Sequence, residues 1–190
     1  MRKILIANRG EIAERVIRTC RKLGIETVAV YSDADKDLPY VSLATISRHI
    51  GGSHPQQSYL NVEQVLTIAK EEKVDGIHPG YGFLSENSEF AKRVREEGYI
   101  FIGPSSDVIR LMGDKLQSRV EMMKANVPVV PGSNIPLQNV EEACSLAEEI
   151  GFPVMLKASG GGGGIGMHKC ECVDDIRKHF DETKKRAKAY

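Results

Sequence analysis

The sequence has no tryptophan, few aromatics and no surplus of either charge. Its 190 residues carry 26 basic and 26 acidic side chains, for a formal net charge of zero, and only 6% are aromatic. A zero balance argues against a nucleic-acid partner, because binding a phosphate backbone needs a basic surplus or a clustered basic patch. Long apolar runs are missing too. Stretches such as 27–31 and 154–156 fall far short of the roughly 18–20 residues that a membrane span requires. Met1-Arg2-Lys3 is basic, but the apolar segment 4–7 that follows is too short for a signal peptide. The expectation is a cytoplasmic protein with neither a membrane nor a nucleic-acid partner. Cysteine is scarce and scattered, at positions 20, 144, 170 and 172, which reads as reduced thiols and not as a disulfide framework. His168-x-Cys170-x-Cys172 would set three possible ligands on one face of a strand. A second ligand pair at zinc spacing is missing, so small apolar packing is preferred and no metal ligand is assigned.

What the sequence does contain is a regular alternation of strands and helices. Residues 3–7 read as a buried strand, and Asn8-Arg9-Gly10 supplies the turn after it. Ile12, Ala13, Val16, Ile17, Cys20 and Leu23 then recur at helical spacing until Gly24, and 26–31 forms the next strand. Further helices are expected at 61–72 and 88–97, with strands at 74–78 and 99–103. The pattern predicts a small doubly wound parallel α/β sheet of five strands, the fifth not located, over residues 1–112.

The pattern changes near Met112. A helix capped by Asp114 is expected to run to Ala125, followed by an irregular connector rich in Pro and Gly. A helix at 140–150, strands at 154–158 and 167–172, and a helix from 174 onward then make an α+β unit over 113–190. The last helix places Ile176, Phe180, Ala187 and Tyr190 on one apolar stripe, with Lys184, Lys185, Arg186 and Lys188 as a solvated opposite face.

Five consecutive glycines, 160–164, sit between the last two strands. Glycine lets a backbone approach a ligand closely and offer N–H groups to phosphate oxygens. A flexible linker is the plainer reading, but Lys157 precedes the run inside an apolar strand, where a buried ammonium would need an anion beside it. The order is not that of a P-loop, which has its lysine after the glycines and opening a helix. A flap closing over a triphosphate is expected. Lys115 lies in a first helical turn, where a cation is disfavoured by about 0.3–1 kcal/mol; with Lys157 it could bracket a phosphate chain. The segment from His78 to Asn87 follows a strand, where open parallel sheets bind ligands, or else it is a tight turn packed by Tyr81 and Phe83. Asn8-Arg9-Gly10-Glu11 follows the first strand without the glycine spacing of a dinucleotide site.

These motifs, with Phe101-Ile102-Gly103-Pro104 and Met112-Gly113-Asp114-Lys115, resemble the N-terminal half of biotin carboxylase along the whole chain. The resemblance implies a biotin carboxylase N-terminal-like, pre-ATP-grasp domain followed by the first lobe of an ATP-grasp domain. It implies ATP-dependent carboxylation of carrier-bound biotin by bicarbonate through carboxyphosphate, with ATP, Mg2+ and biotin as cofactors. Lys115, Lys157, Gly163 and Gly164 would serve ATP, and Tyr81 and Gly82 would border the biotin pocket. The implied partners are a biotin carboxyl carrier protein or domain, a carboxyltransferase component and a second copy in a homodimer. Ile165 stands where the family usually has Arg or Lys, and Tyr40 where His is common. The family's metal-binding carboxylates belong to a later lobe, so the isolated chain is expected to be inactive. Another ATP-grasp ligase and a non-enzymatic nucleotide-binding module are the rival readings.

Overall fold

The structure, a computed structural model, describes residues 1–158 and 167–187. It divides into two compact units, Met1–Leu111 and Met112–Tyr190. In chain order the first unit runs β1 (Lys3–Ile6), α1 (Gly10–Lys22), β2 (Glu26–Ser32), α2 (Pro39–Leu43), β3 (Ile46–Gly51), α3 (Val62–Glu71), β4 (Gly76–His78), α4 (Ser88–Glu96) and β5 (Ile100–Phe101), and α5 (Ser106–Gly113) leads out of it. The five strands are all parallel, in the order β3-β2-β1-β4-β5.

Side-chain alternation explains why helices cover both faces. Leu5, Val28, Val30 and Ile77 point to one side, where they pack with Val65, Leu66, Phe90, Ala91 and Val94 of α3 and α4. Ile4, Ile6 and Ala29 point to the other, against Ala13, Val16, Ile17 and Cys20 of α1 and Tyr40 of α2. A parallel sheet buried on both faces needs such near-continuous apolar strands. Asparagines start two of these helices: the side-chain oxygens of Asn61 and Asn87 accept from the backbone N–H groups of Gln64 and Phe90 at 3.1 and 2.9 Å. The fifth strand, β3, is an edge strand, and its polar sequence Ile-Ser-Arg-His-Ile-Gly hides it from an apolar periodicity search.

The second unit contains α6 (Lys115–Lys124), α7 (Val140–Ile150), β6 (Val154–Lys157), β7 (Met167–Cys170) and α8 (Val173–Ala187). Asp114 caps α6 by accepting from the N–H groups of Leu116 and Gln117, both at 2.9 Å. Strands β6 and β7 pair antiparallel, Val154 opposite Cys170 and Leu156 opposite His168. Their inner face joins Ala143, Cys144, Ala147, Ile176 and Phe180 in a small core. Ile176 and Phe180 occupy the buried stripe of α8, while Tyr190 and the side chain of Ala187 lie outside the described residues. Each apolar side chain buried there is worth about 1.5–3 kcal/mol. Among the described residues, no helix is long and apolar enough to cross a membrane.

Candidate functional site

The chain leaves β1 toward β2 and β3 on one side, then returns to place β4 and β5 on the other. The strand order therefore reverses between β1 and β4, and beyond their carboxyl ends open α/β sheets form a ligand crevice. The segments 8–11 and 78–87 meet there. Asn8, 2% exposed, donates from Nδ2 to the carbonyls of Pro79 and Tyr81, both at 2.9 Å, and its Oδ1 accepts from the Arg9 N–H at 2.9 Å. The Gly80 N–H donates to His78 Nδ1 at 2.9 Å. Burial, helped by the charge of Arg15, pushes the His78 pKa down, which keeps that nitrogen an acceptor near neutral pH. Gly80 and Gly82 both adopt φ = +71°, open to glycine at little cost. Of the two aromatic side chains in this loop, Phe83 packs and Tyr81 does not. Phe83 stacks on Tyr59 with ring centroids 5.1 Å apart, whereas Tyr81 is 78% exposed on a backbone that Asn8 holds in place.

A second set of contacts, which sequence reasoning missed, ties the remaining carboxyl-end loops to this point. Arg9 Nη1 lies 3.2 Å from Asp35 Oδ2, and its guanidinium sits 5.6 Å from the ring centroids of both Tyr59 and Phe83. Asp35 also accepts from the Tyr59 hydroxyl at 2.6 Å and Ser32 Oγ at 2.8 Å. Tyr59 in turn accepts from the Ser32 N–H at 3.0 Å, and its oxygen is 3.2 Å from that of Tyr40, which donates to the Val30 carbonyl. Burial pushes the Asp35 carboxyl up, but the hydrogen bonds from Tyr59, Ser32 and Arg9, with the Arg9 charge, bring it below its ordinary value. Burial pushes the Tyr40 and Tyr59 phenols up, so both remain neutral donors. Loops from four strands are thereby joined through one charged pair. Asp35 and Tyr59 are 24 residues apart and belong to no local motif, so only the fold brings them together.

Within the second unit, Lys115 is the first residue of α6 and is exposed, as its helical position predicts. Lys157 corrects the sequence reading. It is not buried among apolar neighbours: Met155, Lys157, Met167 and Lys169 form the exposed outer face of the hairpin, and the inner face holds Val154, Leu156, His168 and Cys170. A two-stranded hairpin packed on one side must leave its other side open. The lysine therefore needs no anion for its own stability, contrary to the expectation from its apolar neighbours in sequence. What remains is an ammonium on a fixed strand, flanked by two exposed methionines. Gly163, Gly164, the rest of the glycine run and Ile165 lie outside the described residues. The one-face reading of His168-x-Cys170-x-Cys172 fails as well, because β7 ends at Cys170: Cys170 is buried, Cys172 exposed, and all four cysteines are free thiols.

Comparison with known proteins adds an independent line. Residues 1–109 match the family model described as the biotin carboxylase N-terminal domain, and 114–190 match the carbamoyl-phosphate synthase L chain ATP-binding domain. The chain belongs to the biotin carboxylase family. Biotin carboxylase 2 of Bacillus subtilis is 56% identical over 185 residues, 97% of this chain, and the Halalkalibacterium halodurans biotin carboxylase is 52% identical over 189 residues, 100% of this chain. The chain spans 42% of the length of these curated relatives. Among solved structures, the Campylobacter jejuni biotin carboxylase–β,γ-ATP complex is similar over 99% of the chain, with 44% identity and a TM-score of 0.93. The biotin carboxylase domain dimer of Hydrogenobacter thermophilus 2-oxoglutarate carboxylase, solved with MgADP, ADP and bicarbonate, covers 98% at 47% identity and a TM-score of 0.90. The β3-β2-β1-β4-β5 sheet and the hairpin unit are thus the start of a biotin carboxylase fold, with an ATP-grasp second part.

Proposed function

We propose that this chain is the N-terminal part of an ATP-dependent biotin carboxylase, in which bicarbonate is phosphorylated to carboxyphosphate and its carboxyl group passes to N1 of carrier-bound biotin. The similarity to the Campylobacter jejuni complex with β,γ-ATP, along nearly the whole chain, carries the reading. Residues 1–112 form the biotin carboxylase N-terminal-like domain and 113–190 the first ATP-grasp lobe. Lys157 and Lys115 neutralise ATP phosphates, as their exposed positions at a strand end and a helix start allow. Gly163 and Gly164 cover the phosphates. Tyr81 and Gly82 border the biotin pocket, in keeping with an exposed phenol on a pinned loop at the β1/β4 reversal. The partners are bicarbonate, a biotin carboxyl carrier protein or domain, a carboxyltransferase component and a second copy in a homodimer. The cytoplasm, where free thiols persist, is its compartment.

Magnesium does not fit the described residues. Mg2+ takes oxygen ligands in octahedral geometry, and the one convergent group of three His, Cys, Asp or Glu among the described residues, His168, His179 and Glu182, is rich in nitrogen. It also belongs to the inner side of the hairpin, away from the Lys157 face. No step is therefore assigned to magnesium on this chain.

The test is nucleotide titration of the 190-residue chain together with bicarbonate- and biotin-dependent ADP release by the full-length protein. Lys157→Ala should abolish the weak ATP affinity of the chain and impair turnover of the full-length protein, while the unaltered chain alone should show no biotin-dependent cleavage. Unchanged ATP binding in Lys157→Ala removes Lys157 from the site. Full-length protein that fails to consume ATP with biotin and bicarbonate refutes the activity itself.

A further inference from the structure

Three buried side-chain atoms without a hydrogen-bond partner remain among the described residues: His168 Nε2, His179 Nδ1 and Thr183 Oγ1. All three come from β7 and α8. Leaving a buried polar atom unpaired costs about 1–3 kcal/mol, so three together mark a place where the fold keeps polar capacity in reserve. The geometry gives that capacity a direction. Glu182 and Thr183 lie three and four residues after His179, so each neighbours it on the surface of α8. His168 lies on the inner side of β7, opposite Leu156. The two imidazoles stack with centroids 4.3 Å apart and planes 9° from parallel. Glu182 Oε2 is 3.8 Å from His179 Nδ1, and one ligand atom from each of His168, His179 and Glu182 lies within 4.8 Å of the others.

We propose that His168, His179 and Glu182 form a site for a divalent transition metal of the Zn2+ class, fastening β7 to α8 inside the second unit. Two imidazoles and one carboxylate suit a borderline cation, and three protein ligands leave the fourth tetrahedral position to water. Bonds of about 2.0–2.2 Å bring tetrahedral ligand atoms to within roughly 3.5 Å of one another, closer than their present spacing. The stacked rings also hold their nitrogens in nearly parallel planes. Both differences close by rotation about the histidine χ2 torsions, which are broad and inexpensive to turn. Thr183 Oγ1 gains a polar neighbour in the bound carboxylate or water. The neighbouring thiols take no part: Cys170 is fully buried in the small core, and Cys172 lies exposed beyond the end of the strand.

The experiment is titration of the reduced 190-residue chain with Zn2+ against a chromophoric chelator, and with Co2+ by absorption spectroscopy. One equivalent of Zn2+ should bind, and the Co2+ form should show tetrahedral d–d bands without thiolate charge transfer. His168→Gln and His179→Gln should each weaken Zn2+ by more than about 100-fold, beyond what losing a supporting hydrogen bond costs at metal sites. Cys172→Ser should leave affinity unchanged. No stoichiometric uptake by the unaltered chain, uptake that survives both histidine substitutions, or a thiolate band in the Co2+ spectrum would each overturn the proposal. The spectrum needs no variant, so a substitution that unfolds the chain does not block the decision.

Discussion

Gly80 and Gly82 offer a test of the loop at the β1/β4 reversal, because they share a backbone conformation and differ in their surroundings. Both sit at φ = +71°, so alanine at either position pays the left-handed penalty of about 1–2 kcal/mol. A Cβ on Gly82 meets nothing within 4 Å, whereas one on Gly80 would lie 2.6 Å from Nδ2, 2.7 Å from Cγ and 2.8 Å from Cβ of Asn8. Asn8 is buried and hydrogen-bonded to two carbonyls of the same loop, so it cannot step aside freely. Displacing it forfeits two hydrogen bonds at about 0.5–1.5 kcal/mol each. Gly80→Ala should thus cost about 2–5 kcal/mol in total, and Gly82→Ala about 1–2. The assay is urea unfolding followed by the near-UV tyrosine signal. Five of the six tyrosines, at positions 31, 40, 59, 81 and 99, lie in the first unit and report on it selectively. With a slope near 2 kcal/mol/M, the two midpoints should differ by about 0.5–1.5 M. Asn8→Gly removes all three contacting atoms, Cβ included, so in that background Gly80→Ala should cost no more than Gly82→Ala. Equal midpoints in the unaltered background, or an excess at Gly80 that survives Asn8→Gly, would refute the clamp.

Other expectations follow from the same unit. Tyr59→Phe deprives Asp35 of a donor and the Ser32 N–H of its acceptor, so urea unfolding should show a loss of about 1–3 kcal/mol; a loss below about 0.5 kcal/mol would remove Tyr59 from the network. Asp35 titrates below its ordinary value in the folded state, so its stabilisation is complete above about pH 4 and fades as pH falls through the folded pKa; Tyr59→Phe should shift that acid limb upward. His78 is also lowered, but as a base: the unfolded chain takes up its proton first, and stability should begin to fall as pH drops below the ordinary value of 6.5. His78→Asn, which retains an acceptor for the Gly80 N–H, should flatten that upper limb, and an unchanged profile would assign it to another group.

Much of this architecture is legible in the sequence, for physical reasons that also explain the gaps. Strands β1 and β2 are buried on both faces, so they read as unbroken apolar runs, and α1 shows its helical period because only one stripe is buried. Asp114 announces the start of α6 through its own capping chemistry. By contrast β3 is a polar edge strand, α2 is a single short turn, and α5 ends immediately before the Asp114 cap that opens α6. The exposure of Lys157 is hidden for a related reason: in four residues, an apolar strand buried on both faces and a hairpin strand with an open outer face have similar composition. The site's scaffold is least legible of all. Arg9, Asp35 and Tyr59 converge from three loops, a consequence of sheet order that no spacing rule encodes.

The exposure of Lys157 decides which substitutions separate function from folding. Asn8, Asp35 and Tyr59 are buried, and each satisfies other buried groups, so altering them must disturb stability whatever it does to a ligand. Lys157 is solvated, and its place is set by the register that pairs it with Met167, which depends on backbone and inner-face packing more than on the ammonium. Surface substitutions of that kind usually stay within about 0.5 kcal/mol. A buried lysine held by a phosphate would have coupled the two effects, because nucleotide binding would have offset its own burial. An exposed one predicts the opposite: Lys157→Ala should leave the thermal transition of the chain in place without nucleotide, and should diminish only the stabilisation that added ATP confers. If the transition without nucleotide collapses instead, the inner and outer faces of the β6–β7 hairpin have been assigned the wrong way round.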